Sequence, residues 1–190
     1  NGAIFRGTPV EILAGGKDSQ QGDQGWNATE TGYHWRKYMS ETIRFGSEGS
    51  NQNWIIFRLA ELYLNYAEAL QELGEDNLAK TYVNKIRSRE SVKMPAVTET
   101  GEALKQRIRH ERQVELCFES HRLYDVRWWK TAMETDNKPL MGITVTKKAD
   151  GTFDYTSKTV RTRIFKEAYY LFPISRVEIN RNKLLIQNPS

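Results

Sequence analysis

Trp54-Ile-Ile-Phe-Arg-Leu-Ala-Glu-Leu-Tyr-Leu-Asn-Tyr-Ala-Glu-Ala-Leu-Gln-Glu-Leu-Gly74 is the stretch that decides the fold of this chain. Its apolar residues recur at steps of three and four, which predicts a helix from Trp54 to Leu73 with one stripe facing the core. That stripe consists of Ile55, Leu59, Leu62, Tyr66, Leu70 and Leu73. Gly74 favours the left-handed conformation that commonly ends a helix.

A second helix is predicted directly after this glycine, with Asp76 or Asn77 as its N-cap and an end near Arg89. Its apolar face consists of Ala79, Tyr82, Val83 and Ile86. The two helices together match one tetratricopeptide repeat at 54–90. The repeat positions are occupied by Tyr63, Tyr66, Ala67, Leu70, Ala79, Val83 and Ile86. Because a single repeat cannot bury both of its faces, we interpret the chain as a fragment or as a helical layer capped by loops.

The remaining chain predicts more helix and one hairpin. A third helix is expected from Gly101 or Glu102 to about Phe118, with charge on its buried side, and a short one at 122–129. Asp150-Gly151 is a turn signal for a hairpin within 135–165. The fold class is therefore mainly α, with tetratricopeptide-like helix pairs, long loop-rich excursions and an α-α superhelix. We expect a single structural domain, with a loop-rich segment at 1–52 and the main region at 53–190.

The composition of the chain argues against several classes of function. The chain has 190 residues, a net charge of +4 and a sequence pI near 9.1. Its basic residues are interleaved with acids, which favours a solvated or ion-paired surface over a nucleic-acid track. No apolar run is long enough to cross a bilayer, and no signal peptide is recognisable. The single cysteine, Cys117, excludes an internal disulfide and is expected to be a buried, inert thiol.

A cluster of charged side chains is predicted around the third helix. Its acidic members recur at four-residue spacing and its arginines are interleaved with them. The cluster consists of Glu111, Arg112, Glu115, Glu119, Arg122, Asp125 and Arg127. Two carboxylates on one face could hydrolyse a glycosidic bond. Arginine pairing would lower the carboxylate pKa values, however, which is the opposite of what a general acid needs. The favoured hypothesis is a structural ion network without a catalytic residue.

The candidate ligand-binding residues lie in the first loop. Trp26 stands in a stretch rich in Gly and Gln, outside every apolar stripe, where its flat ring could stack on a sugar. Gln24 and Asn27 could bind the sugar hydroxyls, and Trp35 is the second aromatic candidate. The alternative is that Trp26 only pins its loop to the domain. The three histidines are scattered and no cofactor fingerprint occurs, so we expect no metal and no cofactor.

Three blocks of the chain occur together in the order typical of one known family. They are Glu61-Leu-Tyr-Leu-Asn-Tyr-Ala-Glu-Ala69, then Glu111-Arg-Gln-Val-Glu-Leu-Cys-Phe-Glu-Ser-His-Arg-Leu-Tyr-Asp-Val-Arg-Trp128, then Tyr170-Leu-Phe-Pro-Ile-Ser-Arg-Val-Glu-Ile-Asn-Arg-Asn-Lys-Leu-Leu-Ile-Gln-Asn-Pro-Ser190. With these blocks the chain resembles the SusD/RagB family over roughly 32–190. The middle block corresponds to a structural signature of that family, which agrees with the ion-network hypothesis.

The resemblance implies a non-enzymatic nutrient-binding lipoprotein at the cell outer membrane of Bacteroidetes-type bacteria. Its lipid anchor would lie outside this chain. Such a protein binds glycans or oligosaccharides and delivers them to a SusC-like TonB-dependent transporter for polysaccharide utilisation. Two alternatives stay open: a tetratricopeptide-type scaffold for protein interaction and, less favoured, a glycoside hydrolase. Glycan retention without release of reducing ends would separate the first hypothesis from the last.

Overall fold

The computed structural model describes residues 4–5, 7–23, 25–40 and 53–189. The chain divides into one unit of Asn1–Gln52 with Val126–Ser190 and a second unit of Asn53–Asp125. The elements in chain order are β1 (Ile4–Phe5), β2 (Thr8–Pro9), α1 (Leu59–Glu72), α2 (Asp76–Arg87), α3 (Gly101–Glu115), α4 (Arg122–Trp128), α5 (Ala132–Thr135), β3 (Leu140–Lys147), β4 (Phe153–Arg161) and α6 (Arg176–Arg181), with 3-10 turns at Gly25–Asn27 and Glu167–Tyr170. The predicted mainly helical fold is confirmed.

The turn between α1 and α2 follows the prediction. Gly74 has a φ of 81°, and its N–H donates to the carbonyl of Gln71 at 3.0 Å. The N–H of Glu75 donates to the carbonyl of Leu70 at 2.9 Å. These two bonds form a Schellman motif, which satisfies carbonyls that the helix end would otherwise leave unpaired. The predicted stop at Gly74 is confirmed.

The start of α1 differs from the prediction. The helix begins at Leu59, whereas the sequence pattern placed its start at Trp54. Arg58 precedes it in an extended conformation, with φ −150° and ψ 162°. Its guanidinium is held by carboxylates near the end of α3. The spacing of apolar residues in the sequence carries no information about such a distant contact. Tertiary structure therefore overrides the local preference for helix here.

The buried face of α1 is also not the predicted stripe. Its buried residues are Ala60, Leu64, Ala67 and Leu70. Leu59, Leu62 and Leu73 of the predicted stripe are 58%, 50% and 78% exposed. Helix α1 is apolar on two sides, and periodicity alone cannot say which side the neighbouring helices cover. They cover the side with alanines, where the helix backbones can approach closely.

Two apolar clusters stabilise the helical unit. The larger consists of Ala67, Leu70, Ala79, Val83, Val97, Leu104 and Ile108, with Tyr82 packed against it. The smaller consists of Ala60, Leu64, Ile86 and Leu116, with Tyr63 packed against it. Ala67 and Ala79 are both completely buried, as the repeat pattern predicted for the helix contact. The apolar face predicted for α2 is likewise confirmed.

The segment after α3 leaves helical geometry for a tight turn. Helix α3 ends at Glu115, and Phe118 and Ser120 have φ values of 61° and 66°. Positive φ is unfavourable for residues with a side chain, so this turn carries some backbone strain. Cys117 lies in the turn and is exposed, so the prediction of a buried thiol was wrong. An apolar neighbour on each side does not predict burial once the helix has ended.

The other unit contains the predicted hairpin. β3 and β4 pair antiparallel, with Val145 opposite Tyr155. At the turn the Asp150 carboxylate accepts hydrogen bonds from the N–H and hydroxyl of Thr152, and these bonds lower the pKa of Asp150. A separate small core forms from Val126, Ala132 and Phe165, with Tyr170 packed against it.

Within the ranges that the structure describes, none of the helices has the length and apolar content that a membrane crossing requires.

The α1–α2 contact is testable by overpacking. Replacing Ala67 with Leu should lower the free energy of unfolding by about 1–3 kcal/mol, because the site has no room for the added methyl groups. Ala69→Leu is the matched control, since Ala69 lies two residues further on the exposed side of the same helix. Urea unfolding followed by circular dichroism measures both. Equal stability of the two variants would contradict the helix contact.

Candidate ligand-binding site

The loop that carries Trp26 is a compact string of turns. Backbone N–H groups donate to the carbonyl three residues earlier in the pairs Gly16 to Leu13, Ser19 to Gly16, Gly22 to Ser19, Gly25 to Gly22 and Ala28 to Gly25, at 2.7–3.2 Å. A Cβ atom at Gly25 would lie 2.1 Å from the carbonyl oxygen of Gln20, so only glycine fits there. The glycines that indicated an irregular loop in the sequence therefore permit close packing of the backbone.

Strand β3 supports this loop through backbone hydrogen bonds. The N–H of Ala14 donates to the carbonyl of Val145 at 2.8 Å. The N–H of Ile143 donates to the carbonyl of Thr31 at 2.8 Å. On β4, the ammonium of Lys158 donates to the Gln20 side-chain oxygen at 2.9 Å. The loop thus takes its conformation from residues more than a hundred positions away in sequence.

The aromatic candidates are both accessible. Trp26 lies in the 3-10 turn Gly25–Asn27 and is 86% exposed, and Trp35 is 50% exposed. A ring as exposed as Trp26 buries too little surface to hold its loop in place. Gln24, the other residue predicted on this turn, lies outside the described residues. The accessibility of both rings is what stacking on a ligand requires.

Asn27 lines a polar depression of about 230 Å³, which we call the Asn27 cleft. The cleft is bounded by Lys17, Asp18, Asn27, Ala28 and His34. Amide, carboxylate, ammonium and imidazole groups all bind hydroxyls well. The sequence analysis had identified only Asn27 among them.

Trp35 lines a second depression of about 230 Å³, which we call the Trp35 cleft. Its lining is mainly apolar and consists of Ile4, Phe5, Val10, Asp18, His34, Trp35, Arg36 and Met39. Asp18 and His34 belong to both clefts, so the polar and the apolar depression adjoin. A smaller cavity of about 20 Å³ also includes these two residues, together with Lys158, and we call it the hairpin cavity.

Asp18 is the best-positioned polar residue that the sequence analysis missed. Its Oδ2 atom accepts the backbone N–H of Glu11 at 2.8 Å, which fixes the orientation of the carboxylate. The neighbouring Ser19 is buried and donates to the carbonyl of Gly16 at 2.8 Å. No sequence spacing links Asp18 with His34, because the turns and the hairpin bring them together.

The predicted charged cluster centres on an arginine that the sequence analysis did not include. Arg58 binds Glu119 with two hydrogen bonds of 2.7 Å each. It also donates to the Glu115 carboxylate at 2.6 Å and to the Glu115 carbonyl at 2.7 Å. Arg89 approaches the other Glu115 oxygen at 2.5 Å. Both carboxylates are therefore occupied by guanidinium groups.

Two further pairs join the helices of this unit. Arg112 donates to Asp125 at 2.8 Å and to the side-chain oxygen of Asn65 at 2.5 Å. Arg87 donates to Glu111 at 2.6 Å. Arg87, Glu111, Arg112 and Asp125 are all buried. Buried charges of this kind are tolerated only when they are paired and hydrogen-bonded, which is the arrangement observed.

Arg122 and Arg127 do not enter these pairs. Arg122 forms no salt bridge within the part of the chain that the structure describes. Arg127 donates to the carbonyl of Tyr169 at 3.0 Å, and its guanidinium lies over the rings of Phe165 and Phe172. Membership of these two arginines in a wider network stays a prediction.

The pairing sets the charge state of the cluster. Burial raises the pKa of the Glu115 carboxyl, but hydrogen bonds from Arg89 and Arg58 outweigh it, so the pKa lies below its ordinary 4.5. The pKa of Arg58 is raised by its hydrogen bond to Glu119, against the opposing effect of burial. Glu115 is therefore an ionised acceptor at neutral pH and not a proton donor.

Comparison with known proteins identifies the family. The model of the SusD family matches residues 11–190 of the chain. The chain belongs to the SusD family. Both the predicted family and the predicted tetratricopeptide-like helical fold are confirmed by this match and by the solved structures that follow.

Relatives of this SusD-family chain include one curated protein and solved structures. SusD-like protein P25 of Formosa agariphila is 35% identical over 98 residues, which is 50% of this chain and 18% of that protein. The structure of a SusD-like protein from Bacteroides fragilis is 40% identical with a TM-score of 0.62, covering 72% of this chain and 25% of that one. The structure of BT4246 is 26% identical with a TM-score of 0.75, covering 100% and 34%. This chain thus spans 18% to 34% of their lengths.

The ion pairs of this SusD-family chain should contribute measurably to stability. Glu115→Gln should lower the free energy of unfolding by about 1–3 kcal/mol, because charge-assisted hydrogen bonds to Arg58 and Arg89 are lost. Glu90→Gln removes a glutamate whose side chain is 90% exposed and should change stability by less than about 0.5 kcal/mol. Urea unfolding at neutral pH compares them. Indistinguishable effects would refute a stabilising role for Glu115.

The same substitution should change the pH dependence of stability. The folded-state pKa of Glu115 lies below 4.5, so the unfolded chain takes up this proton first as the pH falls. The stabilisation by Glu115 is complete above about pH 4.5 and is lost as the pH falls through the folded pKa. The stability difference between wild type and Glu115→Gln should therefore shrink on acidification. A pH-independent difference in urea unfolding experiments would argue against the lowered pKa.

Proposed function

We propose that this chain is part of a non-catalytic glycan-binding protein at the cell surface. The observation that carries the proposal is the match to the SusD family over residues 11–190. The resemblance on which the family was recognised implies binding of oligosaccharides and their delivery to a SusC-like TonB-dependent transporter. It also implies a lipoprotein of the outer membrane, anchored by a lipidated cysteine outside this chain.

The geometry of the loop and hairpin supports a glycan as ligand. A sugar ring has an apolar face that stacks on aromatic rings and a hydroxyl edge that needs hydrogen-bonding partners. The Trp35 cleft offers the apolar contact and the adjoining Asn27 cleft offers the hydrogen-bonding groups. Trp26 adds an accessible ring on the turn next to Asn27.

The charged cluster supports the non-catalytic part of the proposal. A glycoside hydrolase of the usual kind needs one carboxyl with a raised pKa as general acid and a second carboxylate across the scissile bond. Glu115 and Glu119 accept hydrogen bonds from Arg58, and Glu111 and Asp125 are paired with other arginines. Each of these four carboxylates therefore forms a salt bridge between segments of the helical unit.

A second candidate function is a scaffold for protein interaction. It is favoured by exposed apolar residues on α1 and directly after it, namely Leu59, Leu62, Tyr66 and Leu73. A scaffold would retain a protein partner and no polysaccharide. The family match makes glycan binding the stronger candidate.

Native affinity electrophoresis of the full chain through gels containing a panel of polysaccharides tests the proposal. Trp26→Ala and Trp35→Ala should each weaken retention several-fold, since stacking contributes on the order of 1 kcal/mol beyond burial. Trp128→Ala is the matched control, because Trp128 is 82% exposed and lines neither cleft. Thermal stability should be nearly unchanged in the variants.

Three outcomes would count against the proposal. Release of reducing sugar ends by the wild-type chain would indicate a hydrolase. Retention by no polysaccharide, together with capture of a protein partner, would favour the scaffold. Equal retention of the Trp26 and Trp35 variants and of wild type would place the glycan contact elsewhere in the molecule.

A further inference from the structure

Lys17 and Lys158 line the depressions of the loop and hairpin and have no carboxylate partner among the described residues. Lys93, Lys105 and Lys148 each form a salt bridge with a carboxylate. Lys17, on the rim of the Asn27 cleft, forms no salt bridge or hydrogen bond among the described residues. Lys158, in the hairpin cavity, donates to the neutral amide oxygen of Gln20 at 2.9 Å. Two ammonium charges thus face the depressions without a carboxylate partner.

The charges around the clefts are unequal. Arg36 lines the Trp35 cleft, where its guanidinium donates to the carbonyl of Ile4 at 2.8 Å. Asp18 supplies the one carboxylate among the residues that line the two clefts and the hairpin cavity. One of its oxygens already accepts the backbone N–H of Glu11. Lys17 and Lys158 therefore line these depressions together with one partly occupied carboxylate.

The distribution of charge over the whole chain points the same way. Residues 1–52 and 126–190 contain 17 Lys and Arg against 12 Asp and Glu. Residues 53–125 contain 11 Lys and Arg against 12 Asp and Glu. The unit that carries the clefts therefore has a net charge of +5 and the helical unit one of −1, which together give the +4 of the chain. A surplus of one sign on the surface around a binding site attracts ligands of the opposite sign.

We propose that the ligand is an acidic polysaccharide, whose carboxylate or sulfate groups are bound by Lys17 of the Asn27 cleft. This inference rests on the proposed function. An ammonium group is a compact point charge that can bind either a carboxylate or a sulfate, whereas the guanidinium of arginine favours bidentate geometry. Asp18 and Asn27 then bind ring hydroxyls, and Trp26 or Trp35 stacks on the ring.

Matched pairs of polymers test this inference in affinity gels. Polygalacturonate is compared with its carboxyl-reduced form, and chondroitin sulfate with its desulfated form. We expect the full chain to be retained more strongly by at least one acidic polymer than by its less charged counterpart. Raising the salt concentration to about 1 M, where the Debye length is about 3 Å, should remove that difference.

Lysine variants test whether the preference for the acidic polymer depends on the Asn27 cleft. Lys17→Met should weaken retention by the acidic polymer about two- to fivefold, as expected for one screened ion pair, and should lower the ratio of acidic to neutral retention. Lys183→Met is the control, because it removes the same charge from an exposed residue that lines neither cleft nor the hairpin cavity. An equal effect of both lysine changes would mean that only net charge matters, which would overturn the inference.

The outcomes separate this inference from the proposed function. Equal retention by the acidic and neutral forms of each polymer would overturn the acidic ligand and leave glycan binding standing. Absence of retention by any polysaccharide would overturn both. Stronger retention by single-stranded DNA than by every polysaccharide, with the same dependence on Lys17, would identify a nucleic acid as the ligand and overturn the inference.

Discussion

The salt bridges of Arg58 with Glu115 and Glu119 are the interaction on which the helical unit depends. One guanidinium joins the residue before α1 to the end of α3 and to the turn beyond it. Glu119 has only 3% of its side chain exposed, so an unpaired charge there would destabilise the fold strongly. The extended backbone at Arg58 and the start of α1 at Leu59 follow from this contact. The Arg87–Glu111 and Arg112–Asp125 pairs extend the same principle along the helices.

Charge has different roles in the two units. In the helical unit, guanidinium groups pair with the carboxylates of Glu111, Glu115, Glu119 and Asp125. In the loop and hairpin unit, Lys17 and Lys158 lack carboxylate partners and line depressions beside exposed tryptophans. Ligand-binding residues commonly lie on loops that a rigid scaffold holds in place. Here the scaffold of the proposed site is β3, which holds the glycine-rich turns by backbone hydrogen bonds.

Much of the fold could be predicted from sequence because its signals are local. The stop at Gly74, the apolar face of α2, the α1–α2 contact through Ala67 and Ala79 and the hairpin all rest on residues of one helix or of two consecutive elements. The predictions that failed concern α1, which is apolar on two sides. Its helical period is compatible with burial of either side, and the packing of α2 and α3 selects the side with Ala60 and Leu64. The exposed Cys117 shows the same limit, because its environment depends on where α3 ends.

By itself, the sequence determined that the segments of α1 to α4 are helical, that carboxylates and arginines recur along α3, and which family the chain resembles. The tertiary structure decided which groups meet. Arg58 lies 57 positions from Glu115, and Lys158 lies 138 positions from Gln20, so no spacing rule connects them. Asp18 and His34 share a cleft for the same reason. Helical period and turn preference act over a few residues, whereas ion pairs and clefts form between segments that only packing of the folded chain brings together.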